Sequence, residues 1–188
     1  MKTLFYKLVF VGFIALLLAP RLSAQTESSQ FFLKIDGIDG ESKDTNHQDW
    51  IDVVSFKLGV SQHGVTDFGG GAGAGKSTFL PLGIFKNVDK ATPALFLACA
   101  TGKHIPTVKL VASRPSNNGD YLTITLTDVL VSSLNSQSAE DSGGVDSVLE
   151  SLSLNFAQIQ VSYKPENPDH VLGSAVTGGF NVKLNKKL

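Results

Sequence analysis

Apolar and polar residues alternate with a period of two over much of the chain after residue 30. The apolar members of the clearest runs are Phe31, Leu33 and Ile35; Val54, Phe56, Leu58 and Val60; Leu122, Ile124 and Leu126; and Phe180, Val182 and Leu184. This alternation indicates strands with one buried and one solvated face. Such strands are typical of antiparallel sheets, because parallel sheets are covered on both faces. The pattern therefore predicts a mostly β fold, an antiparallel two-sheet β-barrel.

A change of phase interrupts one long run. Its apolar positions are even-numbered from Leu152 to Phe156 and odd-numbered from Ile159 to Tyr163. A slip of one residue would turn half of these side chains towards water. One extra residue restores the phase, so the sequence predicts a β-bulge near Ala157 and Gln158, where a strand curves around a barrel.

One short α-helix is predicted at about 92–102. Thr92 is a suitable N-cap, Pro93 suits the first helical position, and Gly102 suits a left-handed cap at the end. Residues 94–100 are apolar nearly all round, and such a helix is expected to be buried or covered. Cys99 is then expected to be an unreactive core thiol.

Three polar segments separate the regular elements. Residues 36–49 are turn-rich and long for a hairpin connection, which makes them a candidate interaction loop. Residues 69–75 are glycine-rich, and residues 134–145 combine Ser, Gly and acidic residues, which predicts a mobile loop. Neither a repeat nor a domain linker is evident, so one domain is expected over 25–188.

The first 24 residues have the features of a secretory signal. Lys2 and Lys7 precede the apolar run 8–19, and Ala24 offers a small residue at the cleavage position. The run is short for a membrane span, although a retained anchor is the alternative. The sequence therefore predicts a secreted protein with no stable membrane insertion after cleavage.

The charge balance argues against nucleic-acid binding. The whole chain has a net charge of −1, with 16 basic and 17 acidic residues. Residues 1–24 hold three basic residues and no acid, so 13 basic residues remain and the net charge becomes −4. A mildly acidic domain lacks the basic surface of a nucleic-acid binder. The single cysteine excludes an internal disulfide.

Residues Gly70 to Ser77 match the nucleotide-binding pattern GxxxxGK[ST]. That chemistry requires a buried strand before the loop and a helix after it, whose N-terminal amides hold the phosphates. The preceding residues 61–68 are polar, and Pro81 falls where the helix would begin. A flexible glycine loop is the preferred interpretation, and a P-loop nucleotide-binding protein is a remote alternative.

No residue pattern specifies catalysis, a metal or a cofactor. The histidines lack metal-ligand spacing, and the acids of residues 36–49 do not follow the order of an EF-hand. The nucleophile motif Gly-x-Ser-x-Gly does not occur. The sequence thus predicts a protein that is not an enzyme.

From Phe31 onward the chain resembles the haemolysin-coregulated protein (Hcp) family of type VI secretion systems. The segments that carry the resemblance are KIDGIDGESKD (34–44), SQHG and GGGAGAGKS (61–77), VDKATPALFLACATGKHIPTVKL (88–110), YLTITLTDVLVSS (121–133), ESLSLNFAQIQVSY (150–163) and the terminal FNVKLNKKL. Several long segments in one order are more specific than any single motif.

The resemblance implies a tube subunit with a barrel of two β-sheets and one helix, and it implies no cofactor. Such subunits form homo-hexameric rings that stack, carry effectors, bear a spike protein and lie inside a contractile sheath. A closed ring requires that one surface of a subunit fit a different surface of its neighbour. The loop over 36–49 resembles the family's stacking loop, which implies stacking contacts by Gly40, Glu41, Ser42, Lys43, Asp44 and His47.

The signal-like segment departs from the family pattern. Tube subunits of this kind assemble in the cytoplasm and carry no secretory signal. The alternative is therefore a separately exported Hcp-like barrel that acts as a binding or carrier module.

Overall fold

The computed structural model describes residues 29–62, 77–114, 119–140 and 146–188. In chain order these residues form strands β1 (Gln30–Ile35), β2 (Ile51–Val53), β3 (Ser55–Lys57), β4 (Val60–Gln62), β5 (Ser77–Phe79) and β6 (Leu82–Asn87), helix α1 (Thr92–Thr101), and strands β7 (His104–Arg114), β8 (Gly119–Glu140), β9 (Asp146–Tyr163), β10 (Val176–Asn181) and β11 (Lys186–Lys187).

The strands pair antiparallel in two sheets. The larger sheet has nine strands with the order β11-β10-β9-β8-β7-β1-β2, to which β6 and β3 are added beside β9, and β4 pairs with β5 in the smaller sheet. On the side away from β8, the first half of β9 pairs with β6 and the second half pairs with β10. The sheet wraps around one core but is interrupted between β2 and β3, where Val54 donates a backbone hydrogen bond to Phe85 (2.8 Å). The predicted antiparallel, mostly β fold in two sheets is confirmed.

The inner face of this sheet is lined by the alternating apolar residues. Leu33, Ile35, Ile124 and Leu126 are 2% exposed or less. Burial of one such side chain contributes about 1.5–3 kcal/mol, which offsets the entropy lost when the strands form. The residues that alternate with a period of two in the sequence thus form a continuous core between β1, β7, β8 and β9.

The change of phase in β9 is present, but the predicted bulge is wrong in position. Leu154 and Ala157 are both buried, so the buried face changes from even to odd positions. The pairing with β8 nevertheless stays in one register on both sides of Ala157. Directly across, Asp128 of β8 has a φ of 52°, and the register shift lies between Val131 and Ser133 of β8. The neighbouring strand therefore provides the irregularity.

The helix has the predicted span but a different N-terminus. Ala91 occupies the N-cap position without a side-chain cap, and Gly102 ends the helix with a φ of 64°, as predicted. Thr92 is not the cap because its hydroxyl donates to Glu150 at 2.8 Å. Only part of the helix is covered, since Phe96 is 63% exposed. Cys99 is half-buried against the core.

Residues 134–145 are only partly a loop. Residues 134–140 continue β8 and pair with β9 as far as Asp146, so the prediction of a loop is wrong for them. The polar side chains of residues 135–138 occupy exposed strand positions, which a compositional argument does not distinguish from a loop. Residues 141–145 lie outside the described part of the chain.

A buried ion cluster joins the helix to the sheet. The Lys86 ammonium lies 2.8 Å from Glu150 and 2.9 Å from Asp89, and the side chains of Lys86 and Glu150 are both 0% exposed. Glu150 also accepts hydrogen bonds from Thr92 (2.8 Å) and Ser136 (3.0 Å). Burial opposes ionisation of Glu150, but the hydrogen bonds from Lys86 and Thr92 outweigh it and hold the pKa of this carboxyl below its usual value. The cluster fixes β6, β8, β9 and α1 to one another.

Candidate assembly site

Residues 36–50, named here the assembly loop, fold back on themselves as a short hairpin. The Gly40 N–H donates to Asp49 O (2.8 Å), Ser42 N–H donates to Trp50 O (2.9 Å), and Asp49 N–H donates to Ser42 O (3.1 Å). Asp49, in the returning arm, adopts a φ of 60°, which lies in the left-handed region. The loop therefore has a defined conformation.

Gly40 lies where the two arms of the loop come closest. A Cβ at this position would be 2.3 Å from the carbonyl oxygen of Trp50 and 2.5 Å from the Cα of Ile51. These are backbone atoms at the start of β2, so they cannot rotate away. Glycine is therefore required here because two backbone segments approach closely, and not because the residue has an unusual φ.

His47 fastens the loop tip to the barrel wall. The residue is 2% exposed, and its ring stacks on Phe32 of β1 with centroids 4.2 Å apart. Its Nδ1 lies 2.6 Å from Asp44 and its Nε2 lies 3.0 Å from Asp120 at the start of β8. The Trp50 ring approaches edge-on with its centroid 5.0 Å away. Contacts from β1, β8 and the loop itself thus surround the imidazole.

Asp44 organises the turn at the loop tip. Its Oδ1 accepts hydrogen bonds from the backbone N–H groups of Asn46 and His47, each at 3.0 Å. Partial burial raises the pKa of Asp44, but the hydrogen bonds from the His47 ring and the Asn46 N–H lower it further, so the net pKa is below its usual value. Asp44 is therefore ionised where it contacts His47.

The base of the loop is tied to the turn before α1. Glu41 accepts a hydrogen bond from the Lys90 backbone N–H (3.1 Å), and the Lys90 ammonium lies 3.1 Å from Asp49. Both contacts are exposed, so each contributes about 0–1 kcal/mol. They fix the direction of the loop more than they stabilise the fold.

The predicted stacking residues differ in how exposed they are. Gly40, Ser42 and His47 are buried, Asp44 is half-buried, and Glu41 and Lys43 are exposed. The structure thus brings all of these residues together in one loop but leaves few of their side chains on its surface. Sequence reasoning missed Phe32, Trp50 and Asp120. One feature of the sequence could have indicated these contacts: Phe32 is a large aromatic residue at a position where the alternation predicts a solvent-facing side chain.

Other candidate chemistry finds limited support. Ser77 begins a strand, so the helix required by a P-loop does not start there, while residues 63–76 lie outside the described ranges. Within the described residues, no group of three or more His, Cys, Asp and Glu side chains could hold a metal ion. The same part of the chain contains no helix long and apolar enough to cross a membrane.

Comparison with known proteins gives one consistent result. The family model described as "Type VI secretion system effector, Hcp" matches residues 32–163. Protein hcp1 of Pseudomonas aeruginosa is 45% identical over 157 residues, which is 82% of this chain and 95% of that protein. The crystal structure of Hcp1 from Salmonella typhimurium has a TM-score of 0.70 at 33% identity, covering 86% of this chain and 99% of that one.

A structure described as a type six secretion system protein has a TM-score of 0.78 at 27% identity, covering 86% of this chain and all of its own (100%). Fold and sequence together place the chain in the class of small β-barrel components of type VI secretion systems. Because the family model spans most of the chain, the chain belongs to the Hcp family.

Proposed function

We propose that this chain is a structural subunit of the type VI secretion inner tube, assembling into hexameric rings that stack and carry effectors. The observation that carries the proposal is the match to the Hcp family over residues 32–163, with the same fold. Hexameric rings are known for this family. The role is structural and requires no enzymatic activity.

The outer face of α1 supports self-assembly. Phe96 and Leu97 are 63% and 60% exposed, although isolated proteins rarely leave adjacent large apolar side chains in water. A neighbouring subunit that covers this face would complete the burial expected of a helix that is apolar nearly all round. The spike protein, the contractile sheath and secreted effectors are further partners proposed from the family.

The assembly loop is the proposed stacking contact between rings. Among the predicted stacking residues, Glu41 and Lys43 have exposed side chains, and that of Asp44 is half-exposed beside them. Gly40, Ser42 and His47 support these side chains from within the loop. Direct contact is therefore assigned to the exposed residues and positioning to the buried ones.

Replacement of the exposed lysine tests the stacking contact. We expect Lys43→Glu to keep the hexamer and to weaken stacking. An exposed ion pair between Lys43 and the next ring would contribute about 0.2–1 kcal/mol, and its loss is repeated in every subunit of a ring. Native mass spectrometry measures the ring, and tube length in negative-stain images measures stacking.

The matched control is Lys187→Glu, an exposed charge reversal on β11, which β7 to β10 separate from β1 in the sheet. Equal tube lengths for the two variants would show that the loop is not part of the stacking contact. A wild-type protein that stays monomeric at high concentration would overturn the tube proposal and favour the carrier module.

Residues 1–24 are proposed to act as a cleaved secretory signal, which leaves 25–188 as the mature domain. Ser29 lines the same cleft as Lys43 and Asp44, so the described part of the chain begins beside the stacking loop.

Fractionation with N-terminal sequencing tests the proposed signal. We expect a mature protein that begins at Gln25 outside the cytoplasm, and a Leu16→Arg variant that keeps its full length, because a charge interrupts the apolar run. An N-terminus at Met1 on the exported wild-type protein would exclude a cleaved signal.

A further inference from the structure

His47 connects two segments that are far apart in the chain. Its Nδ1 is 2.6 Å from Asp44 in the assembly loop, and its Nε2 is 3.0 Å from Asp120 on β8. A carboxylate only accepts hydrogen bonds, whereas a neutral imidazole has one donor nitrogen and one acceptor nitrogen. Both contacts are therefore hydrogen bonds only when both ring nitrogens carry a proton.

The ring is enclosed by acidic and aromatic side chains. The His47 side chain is 3% exposed and stacks on Phe32 with an interplanar angle of 8°. The facing groups are carboxylates from the loop and β8, and aromatic rings from β1 (Phe32) and the end of the loop (Trp50). The imidazole therefore bridges a carboxylate of the loop and a carboxylate of the barrel while its face packs on Phe32.

We propose that His47 is a positioning residue: its ring fastens the assembly loop to β8 and so sets the surface that the loop presents to the next ring. The inference rests on the proposed stacking role of the loop. Asp120 is the anchor on the barrel, and Asp44 orients the ring from the loop side. The buried residue thus contributes to stacking without touching the neighbouring ring.

Trp50 provides a direct readout because it is the only tryptophan in the chain and its ring lies 5.0 Å from that of His47. We expect Trp50 emission to move to longer wavelength in His47→Gln and in Asp120→Ala, because each substitution removes the contact between the loop and β8. Tryptic cleavage after Lys43 should accelerate about tenfold in His47→Gln, which corresponds to about 1.4 kcal/mol.

The matched control is His104→Gln, whose ring also contacts a carboxylate (Asp128, 2.6 Å) but is 66% exposed. It should leave Trp50 emission and the cleavage rate unchanged. Trp50 emission in His47→Gln equal to that of the wild type, or a cleavage rate equal to that of the wild type, would overturn the inference. These measurements use unassembled protein, so they stand even if rings fail to stack, a result that would count against the proposed function alone.

Discussion

Replacement of Lys86 by methionine is expected to lower the free energy of unfolding by about 3–5 kcal/mol, the cost of leaving one member of a buried ion pair uncompensated. Glu150 would keep its hydrogen bonds from Thr92 and Ser136 but lose the only ammonium at 2.8 Å. Asp89, which lies 2.9 Å from the same ammonium, would be left beside a second anion. Urea unfolding followed by circular dichroism measures the loss.

A double variant separates the loss of a partner from the loss of packing. Adding Glu150→Gln removes the stranded charge while the amide oxygen still accepts hydrogen bonds, so part of the stability should return. The matched control is Lys34→Met, which removes an exposed ion pair of 3.2 Å and should cost at most about 1 kcal/mol. Similar losses for Lys86→Met and Lys34→Met would contradict the importance of the buried cluster.

The cluster also predicts lability in acid. The pKa of Glu150 is lower in the folded protein than its usual value of 4.5. A carboxyl with a depressed pKa contributes stability above its unfolded value, and this contribution is lost as the pH falls through the folded value. Stability of the wild type should therefore fall on acidification below about pH 4.5, and more steeply than that of Glu150→Gln.

Gly40→Ala is expected to disrupt the assembly loop. The added Cβ would lie 2.3 Å from the Trp50 carbonyl oxygen, and β2 cannot yield easily because it pairs with β1. Forced overpacking of this kind typically costs about 1–3 kcal/mol. The loop should detach, with loss of the His47 contact to Asp120. Trypsin should cleave after Lys43 faster than in the wild type.

The control for this substitution is Gly178→Ala in β10, where an added Cβ meets no atom within 4 Å. This variant should match the wild type in stability and cleavage rate. If Gly40→Ala also matched the wild type, close backbone approach would not be the reason for glycine in the loop.

Strand alternation and the end of the helix could be predicted because both depend on neighbouring residues. Leu33 and Ile35 face the core, and Gly102 adopts the left-handed cap that its sequence indicates. The predicted N-cap was wrong because the Thr92 hydroxyl is bound by Glu150, whose position depends on strand pairing. The bulge was predicted on β9 because the sequence of one strand does not reveal the conformation of its neighbour. The irregular backbone is at Asp128, on the paired strand β8.

The position of the candidate site could be predicted, but its internal construction could not. Turn-rich composition located the loop, and family resemblance selected its residues. The partner of His47 is Asp120, and no spacing rule connects a loop to the start of a strand so far along the chain. For the same reason, the sequence does not predict the contact between Lys86 and Glu150, which are separated by 64 positions.

Because β9 pairs with β6 along its first half and with β10 along its second, the two ends of the barrel share one strand. The β8–β9 hairpin joins segments adjacent in the chain and is able to form early, whereas attachment of β6 must close a much longer stretch of chain. Pairing of β1 with β7 closes a stretch of chain that is longer still, so folding is expected to be completed by these two distant pairings. Because β9 carries the pairings with both β6 and β10, its disruption is expected to weaken both neighbours.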